Sequence, residues 1–257
     1  MKVTFDSNVW RIVSSPDSFP NESAIAEFRT IHDAIAQGKI EPYLSETVFT
    51  LEGIKKSERH QFFTEYDPKI NFGESGRTDG SIALSVGIGP DPNAHPGNNP
   101  YLTKHWEDAE KLGFKILHCT RIATATNPDL KPEWFVPVTH DIAERFGTCG
   151  RDIETHGCGL SQLKAIGEKY APSNRPWHAG ISAAPDSEEN AIAKAVAELS
   201  DSDAVSAHYA YGNDYVCTRD IAKAAGNNSV FSAVNRTWLE QKYGIKFITP
   251  KELGNLV

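Results

Sequence analysis

Alternating strand and helix signals at both ends of the chain constrain its fold most strongly. Near the start, residues 2–5 alternate polar and apolar side chains as a short strand does, and apolar residues recur at helical spacing over residues 21–37. A second strand is predicted at residues 40–44, with Ser45 placed to cap another helix. Because strands that alternate with helices pair in parallel, this order predicts an α/β protein with a parallel sheet.

The same alternation returns near the end of the chain. Two helices are predicted, at residues 186–199 and 202–211, and Gly212 is placed to end the second. Strands are predicted at residues 215–218 and 246–249, the last of them just before a proline. The two ends of the sequence therefore predict one discontinuous α/β domain.

A long insertion separates these two ends. We expect residues 1–60 and 186–257 to form the α/β domain, and residues 61–185 to form an inserted α+β lobe of unknown function. The insertion is rich in Gly and Pro, but it also contains helix patterns and a predicted strand at residues 114–121. It is therefore expected to be folded and not a linker.

Four acidic residues are placed where such a sheet would gather them. Carboxyl ends of parallel strands meet at one edge of a sheet, and ligands bind there in open α/β folds. Clustered carboxylates repel one another unless a cation neutralises them, and oxygen ligands suit Mg²⁺ or Mn²⁺. Bound metal could then activate water for phosphodiester hydrolysis. Asp6 follows the first strand, and Glu52 lies in the second helix. Asp203 opens a late helix, and Asp220 follows the strand predicted at residues 215–218.

Each of these acids also has a structural explanation. An Asp after a strand often forms a turn, and Asp203 in a first helical turn or Asp220 before a helix could act as a cap. Asp201 and Asp214 are runners-up on the same grounds. The combination of four acids, more than any one of them, favours a functional site.

The helical glutamate has two candidates. Glu46 and Glu52 are six residues apart, which places them about 120° apart around a helix. Glu52 lies beside the apolar stripe, whereas the helix dipole alone explains Glu46. We therefore predict Glu52 as the ligand. Asn8, Thr218 and Asp214 are expected to support the site.

Five segments resemble the successive blocks of the PIN-domain nuclease family: VTFDSN (residues 3–8), SETVFTLE (45–52), DAVSAHYA (203–210), DYVCTRD (214–220) and FITP (247–250). The resemblance covers about the first sixty and last seventy residues, and the insertion lies outside it. It implies a PIN-like three-layer α/β/α fold with a central parallel sheet.

The same resemblance implies a function. It implies that Asp6, Glu52, Asp203 and Asp220 bind Mg²⁺ or Mn²⁺ and catalyse the endoribonuclease cleavage of single-stranded RNA. It also implies the role of a toxin in a toxin–antitoxin pair, with an antitoxin protein as partner and a homodimer as the assembly.

Composition adds further expectations. With 34 acidic and 26 basic residues, the net charge of −8 argues against a broad basic surface for nucleic acid. We find no apolar run long enough for a membrane span and no signal-peptide pattern, so we expect a cytoplasmic protein with no membrane partner. Cys149, His156 and Cys158 form the alternative of a zinc site, although their spacing matches no recognised zinc motif.

Two other functions compete with a nuclease. Haloacid-dehalogenase-type phosphatases also carry an Asp after the first strand, but their second Asp, two residues later, is Asn8 here. The other alternative is a PIN-like binding or scaffold module without catalysis, in which the insertion makes the contacts.

Overall fold

The computed structural model describes residues 1–64, 69–76, 82–89, 95–97, 99–121, 126–222 and 226–257. Within these ranges, side-chain environments are described except at residues 60, 63, 64, 69–76, 82–89 and 227.

In the described ranges, seven strands form two separate sheets. In chain order they are β1 (Lys2–Phe5), β2 (Glu41–Ser45), β3 (Lys69–Gly76), β4 (Ile82–Gly89), β5 (Lys115–Leu117), β6 (Tyr215–Cys217) and β7 (Phe247–Ile248). β3 and β4 pair antiparallel with each other. The other five strands form a parallel sheet in the order β5-β2-β1-β6-β7, which confirms the predicted α/β class.

Eleven α-helices lie in the described ranges. They are α1 (Trp10–Ser14), α2 (Ile25–Ala36), α3 (Thr47–Thr50), α4 (Lys56–Thr64), α5 (Pro100–Lys111), α6 (His140–Thr155), α7 (Leu160–Tyr170), α8 (Trp177–Ala183), α9 (Glu189–Tyr211), α10 (Ala233–Tyr243) and α11 (Pro250–Gly254). None of these described helices is both long enough and apolar enough to cross a bilayer.

Helices cover both faces of the parallel sheet. Val3 and Phe5 of β1 point to one face, where they join Phe28 of α2 in a buried apolar cluster. Thr4 points to the other face, where its Oγ1 lies 3.0 Å from Nδ1 of His208 on α9. Since neighbouring strand residues face opposite sides, β1 is buried on both. This arrangement is consistent with a three-layer α/β/α fold.

The strand order reverses beside β1. From β1 the chain crosses to β2 on one side, and it returns much later as β6 on the other side. In open α/β sheets a crevice forms at such a point, outside the carboxyl ends of the strands. The carboxyl ends of β1 and β6 are therefore where a site is expected.

The predicted insertion is part of the main sheet. β5 lies within residues 61–185, yet it pairs in parallel with β2. The expected boundary near residue 61 thus does not separate the sheet from the insertion. The strand is also shorter than the expected 114–121. Helix α6, which lies within the insertion, spans His140–Thr155.

Several predicted helix boundaries need correction. The two helices expected at 186–199 and 202–211 are one continuous helix, α9, so Asp203 lies within a helix and does not open one. Helix α3 ends at Thr50, so Glu52 lies in the turn that follows it. Helix α2 begins at Ile25, with Ala24 as its N-cap, later than the helical periodicity over residues 21–37 indicates. As predicted, Gly212 ends α9 in the left-handed conformation.

Candidate functional site

Asp6 is the first residue after β1 and its carboxylate is held by three hydrogen bonds. Oδ1 accepts a bond from the main-chain N–H of Ser7 at 2.6 Å. Oδ2 accepts one from Nδ2 of Asn8 at 2.7 Å and one from Oγ1 of Thr218 at 2.5 Å. Asn8 and Thr218, the residues expected to support the site, thus fix the orientation of the Asp6 carboxylate at the carboxyl ends of the paired strands β1 and β6.

Three further carboxylates surround Asp6. Glu52, in the turn after α3, accepts a hydrogen bond from Oγ of Ser200 at 2.7 Å. Asp220, in the turn after β6, accepts one from the main-chain N–H of Ala222 at 2.6 Å. Asp201 lies on α9, near enough to Asp6 and Glu52 for their charges to act on it. We call these four residues the acidic cluster: Asp6, Glu52, Asp201 and Asp220.

Repulsion between neighbouring carboxylates raises the pKa of Asp6 and of Asp201. Burial, and next the charge of Glu52, raise the pKa of Asp6 to about 6, and Asp220 adds to the rise. Burial raises the pKa of Asp201 well above its usual range, and the charges of Asp6 and Glu52 raise it further. The charges of Glu52 and Asp220 are therefore close enough to Asp6 and Asp201 to oppose the ionisation of those two carboxylates, an effect that a bound cation would reverse.

Glu198 is a fifth acid at the edge of the cluster. It lies one helical turn before Asp201 on α9, and burial followed by the charge of Asp220 raises its pKa. Its Oε2 is buried and has no hydrogen-bond partner. The sequence analysis missed it, although the three-residue spacing to Asp201 places both acids on one helix face and was a usable signal.

The structure does not place Asp203 in the acidic cluster. Residues two apart on a helix point about 160° away from each other, so Asp201 and Asp203 cannot face the same edge. Asp203 accepts hydrogen bonds from Nε of Arg121 at 3.0 and 3.1 Å and from Nη2 at 2.5 Å. Its side chain is only 2% exposed. Asp201, the runner-up in the sequence, occupies the position expected of Asp203.

Asp214 and Glu46 also lie elsewhere. Asp214 precedes β6, so it lies at the opposite end of the sheet, where its Oδ2 accepts a hydrogen bond from the main-chain N–H of Lys2 at 2.7 Å. The expectation that Asp214 supports the site is therefore corrected. Glu46 accepts hydrogen bonds from the main-chain N–H of Cys119 at 2.6 Å and from Nδ1 of His118 at 3.1 Å. Of the two glutamates, Glu52 is the one beside Asp6.

An arginine fixes the turn that carries Glu52. The guanidinium of Arg59 donates hydrogen bonds to the main-chain oxygens of Glu52 and Ile54, each at 3.1 Å, and to that of Ala193 on α9 at 3.4 Å. Its charge also interacts with Glu52 and Asp201. Arg59 thus holds two elements of the acidic cluster together and offsets part of their negative charge.

The donor chemistry of the acidic cluster suits Mg²⁺ or Mn²⁺, since all four groups are carboxylates. As they stand, the described residues contain no group of three or more His, Cys, Asp or Glu close enough to hold an ion. This also applies to the alternative zinc ligands in the described ranges. Cys149 and Cys158 are buried free thiols, and His156 stacks on the ring of Trp238 at 4.2 Å.

The raised pKa of Asp6 predicts a pH-dependent effect on stability. Without metal, the folded state binds this proton more tightly than the unfolded chain, whose Asp has its usual pKa near 4. The stability that Asp6 contributes is therefore complete below pH ~4 and is lost as the pH rises through about 6. Asp6→Asn should consequently become more stable relative to wild type between pH 4 and pH 7.

Urea unfolding of both proteins in EDTA, at several pH values, measures this difference. The comparison cancels the contributions of acids that do not interact with Asp6. It retains the coupling to Asp201, whose pKa the charge of Asp6 raises, so the difference reports Asp6 together with that coupling. A difference that does not change between pH 4 and pH 7 would show that Asp6 titrates normally.

Comparisons with known proteins give no family for the chain: no family model matches, and neither curated proteins nor solved structures give a significant match.

Proposed function

We propose that this protein is a divalent-metal-dependent nuclease that hydrolyses phosphodiester bonds, with the metal held by Asp6, Glu52, Asp201 and Asp220. The observation that carries this proposal is the position of the acidic cluster. Four mutually repelling carboxylates converge at the carboxyl ends of β1 and β6, where the strand order reverses. A structural role alone gives no reason to keep so much negative charge in one partly buried place.

The residues around the cluster suit this role. Bound Mg²⁺ or Mn²⁺ would lower the pKa of a water molecule and stabilise charge on the phosphate. Asn8 and Thr218 orient the Asp6 carboxylate, and Ser200 orients that of Glu52. Fixed orientation of ligands by neighbouring hydrogen bonds is typical of metal sites.

Single-stranded RNA is the proposed substrate class. This choice rests on the resemblance to PIN domains over residues 3–8, 45–52, 203–210, 214–220 and 247–250, with one change in the residue roles. The acid that comes from the late helix is Asp201, and Asp203 has a structural role. We also propose that the protein is a toxin with an antitoxin partner, and this proposal rests on the same resemblance alone.

A binding or scaffold module is the second candidate. It is favoured by one observation, namely that no three acids in the described ranges are already close enough to hold an ion. The two candidates differ in what a divalent cation does. A nuclease site draws the carboxylates together around the ion, whereas a scaffold binds no ion there.

Cleavage assays distinguish these candidates. Labelled single-stranded RNAs and DNAs are incubated with wild type and Asp6→Asn, with Mn²⁺, with Mg²⁺ and with EDTA. We expect RNA cleavage that EDTA abolishes and that Asp6→Asn lowers at least about a hundredfold, because loss of even an outer partner of a metal ligand costs about 10- to 100-fold.

Calorimetry with Mn²⁺ alone supplies the control for this assay. Binding that Asp6→Asn removes supports the metal site even if the chosen oligonucleotides are poor substrates. If wild type neither cleaves nor binds Mn²⁺, the nuclease proposal fails and the binding module becomes the better interpretation.

A further inference from the structure

Arg236 directs a rigid guanidinium at the acidic cluster. It lies in the second turn of α10, and its Nη2 donates a hydrogen bond to the main-chain oxygen of Asp220. The guanidinium carbon lies 5.0 Å from the ring centre of Phe247 and 5.7 Å from that of Phe231. Contact with a carbonyl and two rings fixes the plane of the group.

The charge of Arg236 is not used in an ion pair. Asp220, Asp6 and Glu252 are near enough to interact with it electrostatically. Within the described part of the chain, however, it has no salt bridge to any carboxylate. Its Nε is buried without a hydrogen-bond partner, and no described protein group accepts a bond from Nη1.

The neighbouring arginines differ from Arg236 in this respect. Arg59 donates its hydrogen bonds to three main-chain oxygens, Arg121 is paired with Asp203, and Arg219 is paired with Glu22. These three have protein partners that account for their positions. Arg236 has one carbonyl partner and unused donors beside the acidic cluster.

We infer that Arg236 binds a non-bridging phosphate oxygen of the substrate and holds that phosphate beside the acidic cluster. A guanidinium presents several N–H donors in one plane, which matches the oxygens of a phosphate group. Arg59 and a bound divalent cation offset only part of the charge of four carboxylates, in a protein with a net charge of −8, so a further cation would help the site to accept a phosphodiester. This inference rests on the proposed function and names the residue that makes the site accept an anion.

The test compares Arg236→Gln with Arg29→Gln, which removes the same charge. Arg29 is a suitable control because its side chain is 55% exposed and pairs only with the surface residue Asp17. Two quantities are measured: the Kd of a labelled single-stranded oligoribonucleotide with Ca²⁺ replacing Mn²⁺ to slow cleavage, and the Kd of Mn²⁺ alone.

For Arg236→Gln we expect the Kd of the oligoribonucleotide and the Kd of Mn²⁺ to respond differently. Oligoribonucleotide binding should weaken at least about tenfold, because a charge-assisted hydrogen bond is lost. Mn²⁺ binding should be unchanged or tighter, because a cation has been removed from beside its ligands. Arg29→Gln should change both constants less than about twofold. Arg236→Lys keeps the charge but loses the planar fork, so it should weaken oligoribonucleotide binding by several-fold.

Two results would overturn the inference while leaving the nuclease proposal intact. One is oligoribonucleotide binding by Arg236→Gln at wild-type strength. The other is equal loss of oligoribonucleotide and Mn²⁺ binding, which would mean that Arg236 only holds the turn of Asp220. If Arg236→Gln does not fold, Arg236→Lys decides between the same outcomes. Wild type that binds neither Mn²⁺ nor oligoribonucleotide would remove both proposals together.

Discussion

Asp201→Asn is expected to weaken Mn²⁺ binding and RNA cleavage at least about a hundredfold, whereas Asp203→Asn should leave both within a few-fold of wild type. The reason is the direction of the two side chains on α9. Asp201 is close enough to Asp6 and Glu52 for their charges to raise its pKa. Asp203 points to the other side of the helix, where its carboxylate pairs with Arg121.

The two variants are well matched. Both change an Asp to Asn on the same helix, and both remove one negative charge. Asp203→Asn is also expected to lower stability, because it leaves Arg121 without its partner, so binding is measured by calorimetry well below the melting temperature of each variant. The reverse result, in which Asp203→Asn loses Mn²⁺ and Asp201→Asn retains it, would return the metal-binding role to Asp203.

Asp6 was predictable because its placement depends on local pattern. Alternation over residues 2–5 predicts a strand, and the first residue after a parallel strand lies at the carboxyl edge of the sheet. The same reasoning placed Thr218 at the end of the strand predicted over residues 215–218 and Asp220 just past it, and a hydrogen bond connects Thr218 to Asp6. Strong local sequence patterns therefore predicted the parallel sheet and two acids of the acidic cluster, Asp6 and Asp220.

Asp203 was misplaced because its partner lies far away in the sequence. Arg121 is 82 residues before Asp203, inside the insertion, and no local pattern connects them. The sequence also suggested a helix boundary near residue 202, whereas α9 runs unbroken through Asp201 and Asp203. Which face of a helix meets the sheet edge is decided by packing, so a shift of two residues reverses the outcome.

Glu52 shows a correct choice reached through an incorrect local structure. Its preference over Glu46 assumed that both residues lie on one helix, but α3 ends before Glu52. Glu52 reaches the cluster from a turn that Arg59 holds by hydrogen bonds to main-chain oxygens. Such a turn has no sequence signature comparable to helical periodicity. The pairing of β5 with β2 was missed for a related reason, since strand partners are not encoded locally.

Arg121→Met is expected to lower the free energy of unfolding by about 3–5 kcal/mol at pH 7, because it leaves Asp203 as a buried carboxylate without its counter-charge. The Arg121 and Asp203 side chains are 22% and 2% exposed, so water screens the pair poorly. Burial raises the pKa of Asp203, and Arg121 opposes that rise. Without Arg121 the folded-state pKa should rise further, so the loss is smaller at low pH and grows as the pH rises through it.

Urea unfolding of Arg121→Met at pH 5 and pH 7 measures this loss and its pH dependence. The double variant Arg121→Met/Asp203→Leu is the control, because replacing both charges with apolar groups of similar size should recover most of the stability. Since Asp203 lies outside the acidic cluster, the double variant should also bind Mn²⁺ within a few-fold of wild type. A loss below about 1 kcal/mol in Arg121→Met would mean that the pair is solvated as a surface ion pair is. Loss of Mn²⁺ binding in a stable double variant would mean that the two sides of α9 are not independent.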